Sequence, residues 1–275
     1  MNRILLAIIA SGITMSSFAQ VDSTEAQKAD TIRVGSMIII KKQGKEEKET
    51  KEVTISNRSH RRSNSNVSTN WGIVDLGFSN WNDQTNYSSA EAMAFAPGFN
   101  KDALELNTTK SINVNIWFFM QRLNMVQHVL NLKYGLGLEL NNYRFDDKRV
   151  HLQKNPTQIM LDPDYATLKK NKLAADYITV PMMLNVNLTP GRNKGFGFSG
   201  GVSAGFLYSS RQKIKGSDGK HKFHDDYDLR KWKLSYIGEL NLGPVKLYGS
   251  YAMKSMWEKG LDQTPYNVGI RLSNW

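Results

Sequence analysis

The stretch His221–Asp228 reads HKFHDDYD. Two imidazoles (His221, His224) and three carboxylates (Asp225, Asp226, Asp228) are groups that can hold a divalent ion. Lys220 and Lys222 interleave with them, and exposed loops collect such residues freely, so the segment is expected to be a solvated loop without metal. Nucleophilic catalysis needs a nucleophile with a base in hydrogen-bond reach. The histidines are His60, His128, His151, His221 and His224. His60 lies in a polar N-terminal segment, His128 at a short turn, and the other three in long connections. None falls in a strand beside a Ser with an acid opposite. The chain is therefore expected to be neither an enzyme nor a metal or cofactor protein.

Six other charged residues sit in a regular pattern. Leu130–Asn142 reads LNLKYGLGLELNN, with Leu130, Leu132, Tyr134, Leu136, Leu138 and Leu140 on one face of a strand. Lys133 and Glu139 lie on the other face with Gly135 and Gly137. The same alternation places Asp75, Lys233, Glu239 and Arg271 opposite apolar neighbours in three further segments. Three acids and three bases on polar faces imply paired charges, because an isolated buried charge is unstable. An ionic network is expected where these faces meet, with Gly135, Gly137, Gly197, Gly201 and Gly205 keeping the space from overfilling.

Eight such segments can be read: Trp71–Ser79, Ile112–Gln121, Leu130–Asn142, Tyr177–Thr189, Gly195–Ser209, Trp232–Leu242, Val245–Ala252 and Pro265–Trp275. The connections between them alternate long, short, long, short, long, short, long. That is the plan of an up-and-down transmembrane barrel with long loops outside and tight turns in the periplasm. Eight strands give a lumen that side chains just fill. The expected fold is an all-β, eight-stranded antiparallel transmembrane β-barrel with a flexible periplasmic N-terminal tail. A soluble periplasmic lipid-binding barrel, with the apolar faces inward, is the alternative. A barrel enzyme acting on outer-membrane lipid or peptides is another.

Residues 1–19 read as a signal peptide: Asn2 and Arg3, then apolar Leu5 to Ile13, then Ser17-Phe18-Ala19 before Gln20. Residues 20–69 form a basic, polar tail. Within it Thr31–Ile40 is expected as a short strand and Val53–Ile55 as a weak partner. Residues 70–275 form the barrel. The chain has no cysteine and a net charge of +11, which exclude a disulfide framework and favour anionic partners. Export makes nucleic acid an unsuitable one. Outer-membrane lipid and lipopolysaccharide are the expected partners, with a cell-wall polymer or an envelope protein for the tail.

Aromatic residues near strand ends suit a membrane-interface girdle: Trp71, Tyr143, Tyr177, Tyr208, Trp232, Tyr266 and Trp275. Trp275 is one residue out of step with Tyr266, Val268, Ile270 and Leu272. A basic connection carries Arg211, Lys213, Lys215, Lys220, Lys222 and Arg230, groups suited to lipopolysaccharide phosphates. In the same vein, LDPDYATLKKNKL (Leu161 to Leu173) is expected to hold a short helix in its loop.

YGLGLELNNYRF (Tyr134–Phe145), DYITVPMMLNVNLTP (Asp176–Pro190), KSINVNIWFFMQRLN (Lys110–Asn124) and YNVGIRLSNW (Tyr266–Trp275) resemble the PorT-like outer-membrane β-barrel family of Bacteroidota-type bacteria. The resemblance runs from about Trp71 to Trp275. It implies an eight-stranded barrel in the outer membrane. Some relatives of that kind are tied to secretion or cell-surface assembly.

Overall fold

The computed structural model describes residues 30–34, 37–41, 65–190 and 195–273. The chain divides into two units, residues 1–62 and 63–275. In the first, β1 (Asp30–Val34) pairs antiparallel with β2 (Met37–Lys41). The single strand expected over Thr31–Ile40 is thus two short paired strands. The signal peptide, His60 and Val53–Ile55 lie outside the described residues.

The second unit is a closed sheet. Its strands are β3 (Val67–Asp83), β4 (Ile112–Val126), β5 (Leu130–Arg144), β8 (Lys170–Asn187), β9 (Phe196–Lys215), β11 (Trp232–Leu242), β12 (Val245–Ala252) and β13 (Gln263–Leu272). Each pairs antiparallel with its neighbours, β13 pairs with β3, and β8 pairs with β9 to complete the ring of eight. The barrel begins slightly before residue 70, since Val67–Thr69 pair with Leu123–Gln121. Tight turns follow β4 and β11. Gln127 and His128 carry positive φ in the first, and Gly243 (φ 72°) bends the second.

At the opposite end lie four longer connections, residues 84–111, 145–169, 216–231 and 253–262. Residues 84–111 hold α1 (Ala90–Phe95), capped by the Ser89 hydroxyl on the Ala92 N–H. Residues 145–169 hold the hairpin of β6 (Val150–Gln153) with β7 (Gln158–Leu161), then a 3-10 turn at Pro163–Thr167 where the short helix was expected. Residues 216–231 hold β10 (Lys220–His224), which pairs along the outer part of β9.

The outward face of the ring is apolar. Leu76, Phe78, Ile178, Val180, Met182, Leu184, Phe198, Leu234, Leu240, Val268 and Ile270 are all exposed, while Asp75, Asn113, Glu139, Thr179, Glu239 and Asn267 are buried. A soluble barrel has the reverse arrangement, so that alternative is overturned. Strands of nine to eleven tilted residues suffice to cross the hydrocarbon. β8 and β9 have 18 and 20 residues, so they run well beyond it at the long-connection end.

Candidate functional site: a sealed lumen, a capped mouth and a basic wall

The six charges singled out from the sequence meet inside the ring. Arg271 grips Asp75 with two bonds, Nε to Oδ1 and Nη2 to Oδ2, both 2.7 Å. Its remaining nitrogen reaches Glu239. Lys133 approaches the other oxygen of Glu239 at 2.8 Å and donates to Ser199 Oγ at 3.2 Å. Lys233 pairs with Glu139. Asn141 and Asn267 each donate to Glu139 Oε1 at 3.1 Å. Trp117 Nε1 (2.7 Å) and Asn115 (3.2 Å) donate to Asp75 Oδ2. Asn113 joins the two halves, bonding Asn115 and Asn141 at 2.9 Å each and accepting from the Tyr248 hydroxyl. Three positive and three negative groups form one connected, neutral array, which is the condition for holding charge in a low-dielectric space.

Little room remains. The void bordered by Asp75, Glu139, Glu239 and Arg271 is about 30 Å³, space for roughly two or three waters. Gly77 and Gly269 lie opposite each other beside the Tyr248 ring, and a Cβ on Gly77 would fall 2.5 Å from the Tyr248 oxygen. A Cβ on Gly137 would fall 2.7 Å from the Trp117 ring.

Above this array the interior turns apolar. All four long connections send side chains into one cluster: Phe95 and Leu104, Val150 and Ile159, Tyr227 and Leu229, Met256 and Trp257. Trp81 lies 5.2 Å from the Tyr143 ring, and Phe95 meets Trp257 edge-on at 5.4 Å. From the sequence these connections are expected as loops, and the cap they form is not apparent. The signal is present in AMAFAPGF (Ala92–Phe99) and MW (Met256-Trp257), which are more apolar than exposed loops allow. Burial pushes the Tyr227 hydroxyl up to about 12, and that hydroxyl donates to Phe223 O at 2.8 Å. Tyr87 is also held well above the usual tyrosine value, by burial and by its bond to Asp83. Outside the cap, the hydrogen bonds from Arg149 hold Asp147 below the usual carboxylate value.

Two girdle assignments are corrected. Tyr143 and Tyr177 are 1% and 2% exposed and point inward into the cap. Tyr143 has the parity of Glu139, and Tyr177 that of Thr179, so nearness to a strand end misplaced them. Trp71, Tyr208 and Trp232 do face outward, and Tyr266 is partly exposed. Tyr266 pairs with Tyr251, which pairs with exposed Tyr236, giving an aromatic row across β11, β12 and β13 that needed the register to be seen. Trp275 lies outside the described residues.

His221 and His224 stand on β10, and His151 on β6, instead of in open loops. On a strand, residues three apart point to opposite faces, so His221 and His224 do not converge. His221 bonds Asp218 at 2.9 Å, and His151 pairs with Asp162 at 3.3 Å while stacking on Tyr165. Among the described residues no three His, Asp or Glu side chains gather to hold a metal.

A cavity of about 470 Å³ opens in the wall beyond the end of β12, between Trp232, Lys233, Met253, Lys254 and Tyr177. Ser255 lines it, but its hydroxyl donates to Leu261 O and accepts from the Trp257 and Gln263 N–H groups. It is a turn-former, with no histidine among the lining residues.

Of the residues expected at lipopolysaccharide, Arg211, Lys213, Lys215, Lys220 and Lys222 share the outer part of β9 and β10. Arg230 stands apart. Its guanidinium donates to Ser255 O and Trp257 O, both at 3.1 Å, and serves to hold that turn.

An outward apolar ring around a polar, sealed interior defines a membrane-spanning β-barrel. The model for the outer membrane protein beta-barrel domain matches residues 56–253; the chain belongs to that family, and the barrel is an outer-membrane one. The crystal structure of Ail, the attachment invasion locus protein of Yersinia pestis, is similar over 74% of this chain and 98% of that one, with 10% identity and a TM-score of 0.32. No curated protein matches the chain.

Proposed function

We propose that this protein is a closed, non-conducting barrel of PorT-like type. It is a structural and binding component of the envelope, associated with assembly or secretion, and not an enzyme. Its long-connection end faces the outside and its N-terminal tail the periplasm. The observation that carries this reading is the double seal: a neutral ionic array within the lumen and an apolar cap over its mouth. A pore needs neither. With the lumen shut, work falls to the surfaces outside the bilayer, the capped end and the tail. The motif resemblance supports the family subtype, and the even strand count puts both ends of the barrel on the short-turn side.

Purified protein in a planar bilayer tests the seal. It should give no ion current, whereas steady channels in the native protein would overturn the reading. The absence of cysteine makes orientation accessible to labelling. Lys148→Cys at the capped end should react with an impermeant maleimide on intact cells; reaction only after the outer membrane is opened would reverse the orientation. Deletion of residues 20–62 should leave an inserted barrel that fails in its cellular role. An unaltered phenotype would remove the tail from the proposal.

A further inference from the structure

The outward face of the barrel changes character where β5, β8, β9 and β10 rise above the apolar ring. Arg144 pairs with Lys172, Lys172 with Lys213, and Lys213 with Lys222. Four cations therefore stand side by side in one row across four strands. Two residues further along the same face, Lys170 pairs with Lys215 and Lys215 with Lys220. Two residues back, Ala174 pairs with Arg211 and Arg211 with His224. Like charges directly opposite each other in a sheet are destabilising.

The nearby acids relieve this only in part: Asp176 favours the charged forms of Lys172 and Lys213, but burial and the neighbouring cations outweigh it. Asp176 is taken by Arg211 at 2.5 Å, and Asp218, at the β9–β10 turn, is hydrogen-bonded to His221 at 2.9 Å. Arg144 donates to Lys169 O at 2.9 Å and Lys172 to Asn142 Oδ1. These two contacts go to neutral oxygens, so they position the side chains without neutralising them. Among the described residues no carboxylate pairs with Lys170, Lys172, Lys213, Lys215, Lys220 or Lys222.

We propose that this basic ladder is a binding site for the phosphate groups of a phosphorylated glycolipid in the leaflet around the capped end. The site's place favours a lipid over a soluble anion. On the same strands the row Leu138–Ile178–Phe206, joined by Trp232, faces outward and is apolar and aromatic. That row marks the edge of the hydrocarbon. The Lys172 row lies roughly 20 Å further along the strand, or roughly 15 Å along the axis at the usual tilt. The Arg211 row is closer, at roughly 10 Å by the same geometry. Long basic side chains reaching back toward the membrane meet phosphates at that depth. A flat, two-row array with cations spaced at the strand separation of about 4.8 Å suits an anion with several oxygens on more than one phosphate. The inference deepens the proposed surface role and rests on the outward orientation only for which leaflet supplies the lipid.

The test uses the full mature chain in non-ionic detergent, with bisphosphorylated lipid A, dephosphorylated lipid A, phosphatidylglycerol and inorganic phosphate as probes. Bisphosphorylated lipid A should bind, and K172Q/K213Q/K222Q should weaken it by about 100-fold at low salt. A control of equal charge change, K101Q/K110Q/K148Q, should alter it less than about 3-fold, since those exposed lysines lie off the ladder. The ladder variant also removes repulsion, so without lipid it should unfold at the same or a higher temperature, which separates lost binding from lost folding. Equal binding of dephosphorylated lipid A, of phosphatidylglycerol or of inorganic phosphate would overturn the proposal, as would equal loss in both triple variants or no binding at all. Labelling that places Lys148→Cys in the periplasm would overturn the orientation while leaving the detergent result to judge the ladder.

Discussion

The barrel interior is filled in two opposite ways along the same strands. At membrane height it holds Asp75, Lys133, Glu139, Lys233, Glu239 and Arg271, with leucines and valines outside. Above the membrane it holds Phe95, Tyr143, Leu173, Tyr227 and Trp257, with Arg144, Lys172 and Lys213 outside. One strand shows the inversion. On β8, Thr179 faces in and Ile178 out; a few residues earlier Leu173 faces in and Lys172 out. Solvent explains the switch. Where lipid surrounds the wall, apolar side chains belong outside and the lumen takes the polar groups. Where water surrounds it, hydrophobic burial again drives apolar groups inward. A membrane protein and a soluble one thus share a single closed sheet, and the crossover marks the edge of the bilayer.

The two halves should break differently. Removing one member of the ionic array leaves others buried and unpaired, so Arg271→Ala should destabilise the folded barrel by about 3–5 kcal/mol. The shift in heat-dependent electrophoretic mobility and in urea midpoint measures this, and a loss below about 1 kcal/mol would mean the array is hydrated and weakly coupled. Trp257→Ala should have a comparable local effect, about 3–5 kcal/mol, but confined to the cap. The barrel should keep its folded mobility in cold detergent while the long connections become open to protease. If Trp257→Ala also abolished the folded mobility, cap and barrel would be one cooperative unit.

Placing a charge on the outward face locates the crossover. Leu76→Lys should destabilise by about 2–4 kcal/mol, as expected for a lysine near mid-membrane. Asn82→Lys, on the same strand and the same face but at the long-connection end, should cost at most about 1 kcal/mol. Equal effects at the two positions would refute a bilayer edge between them.

The part of this plan at membrane height was legible in the sequence. Strict alternation assigns Asp75, Lys133, Glu139 and Arg271 to the inner face without knowledge of any pairing. The crossover was not. Around Asn142, Ala174, Asp176 and Ser209 both faces carry small or polar groups, so the alternation fades before returning with opposite sign. Strands read as ending at Asn142 and Ser209, or starting at Tyr177, in fact run to Arg144 and Lys215 and begin at Lys170. A register shift between Asp176 and Tyr177 adds to the loss of phase. The Tyr236–Tyr251–Tyr266 row and the Arg144–Lys172–Lys213–Lys222 row depend on which residues of distant strands stand opposite, and no single segment carries that information. The cap was obscured for a related reason: its apolar residues come from four connections with no shared period.

The smallest effect expected is one that only the cap should show. Tyr87 and Tyr227 titrate above the usual tyrosine value near 10, both chiefly because burial disfavours the charged form. A group whose value is raised on folding adds stability that is fully present below the unfolded value and is lost as pH rises through the folded one. The cap should therefore hold up to about pH 10 and loosen as pH climbs toward 12, the value of Tyr227. The lumen's Arg271–Asp75 contact should be untouched there, because guanidinium stays charged. Tyrosinate absorbance should then rise together with protease sensitivity of residues 216–231, while the folded mobility in detergent persists. Tyr227→Phe should delay the loosening to higher pH by removing one titrating group, at the expense of the bond to Phe223 O. Simultaneous loss of cap and barrel at one pH would show that the two fillings, though chemically opposite, stand or fall together.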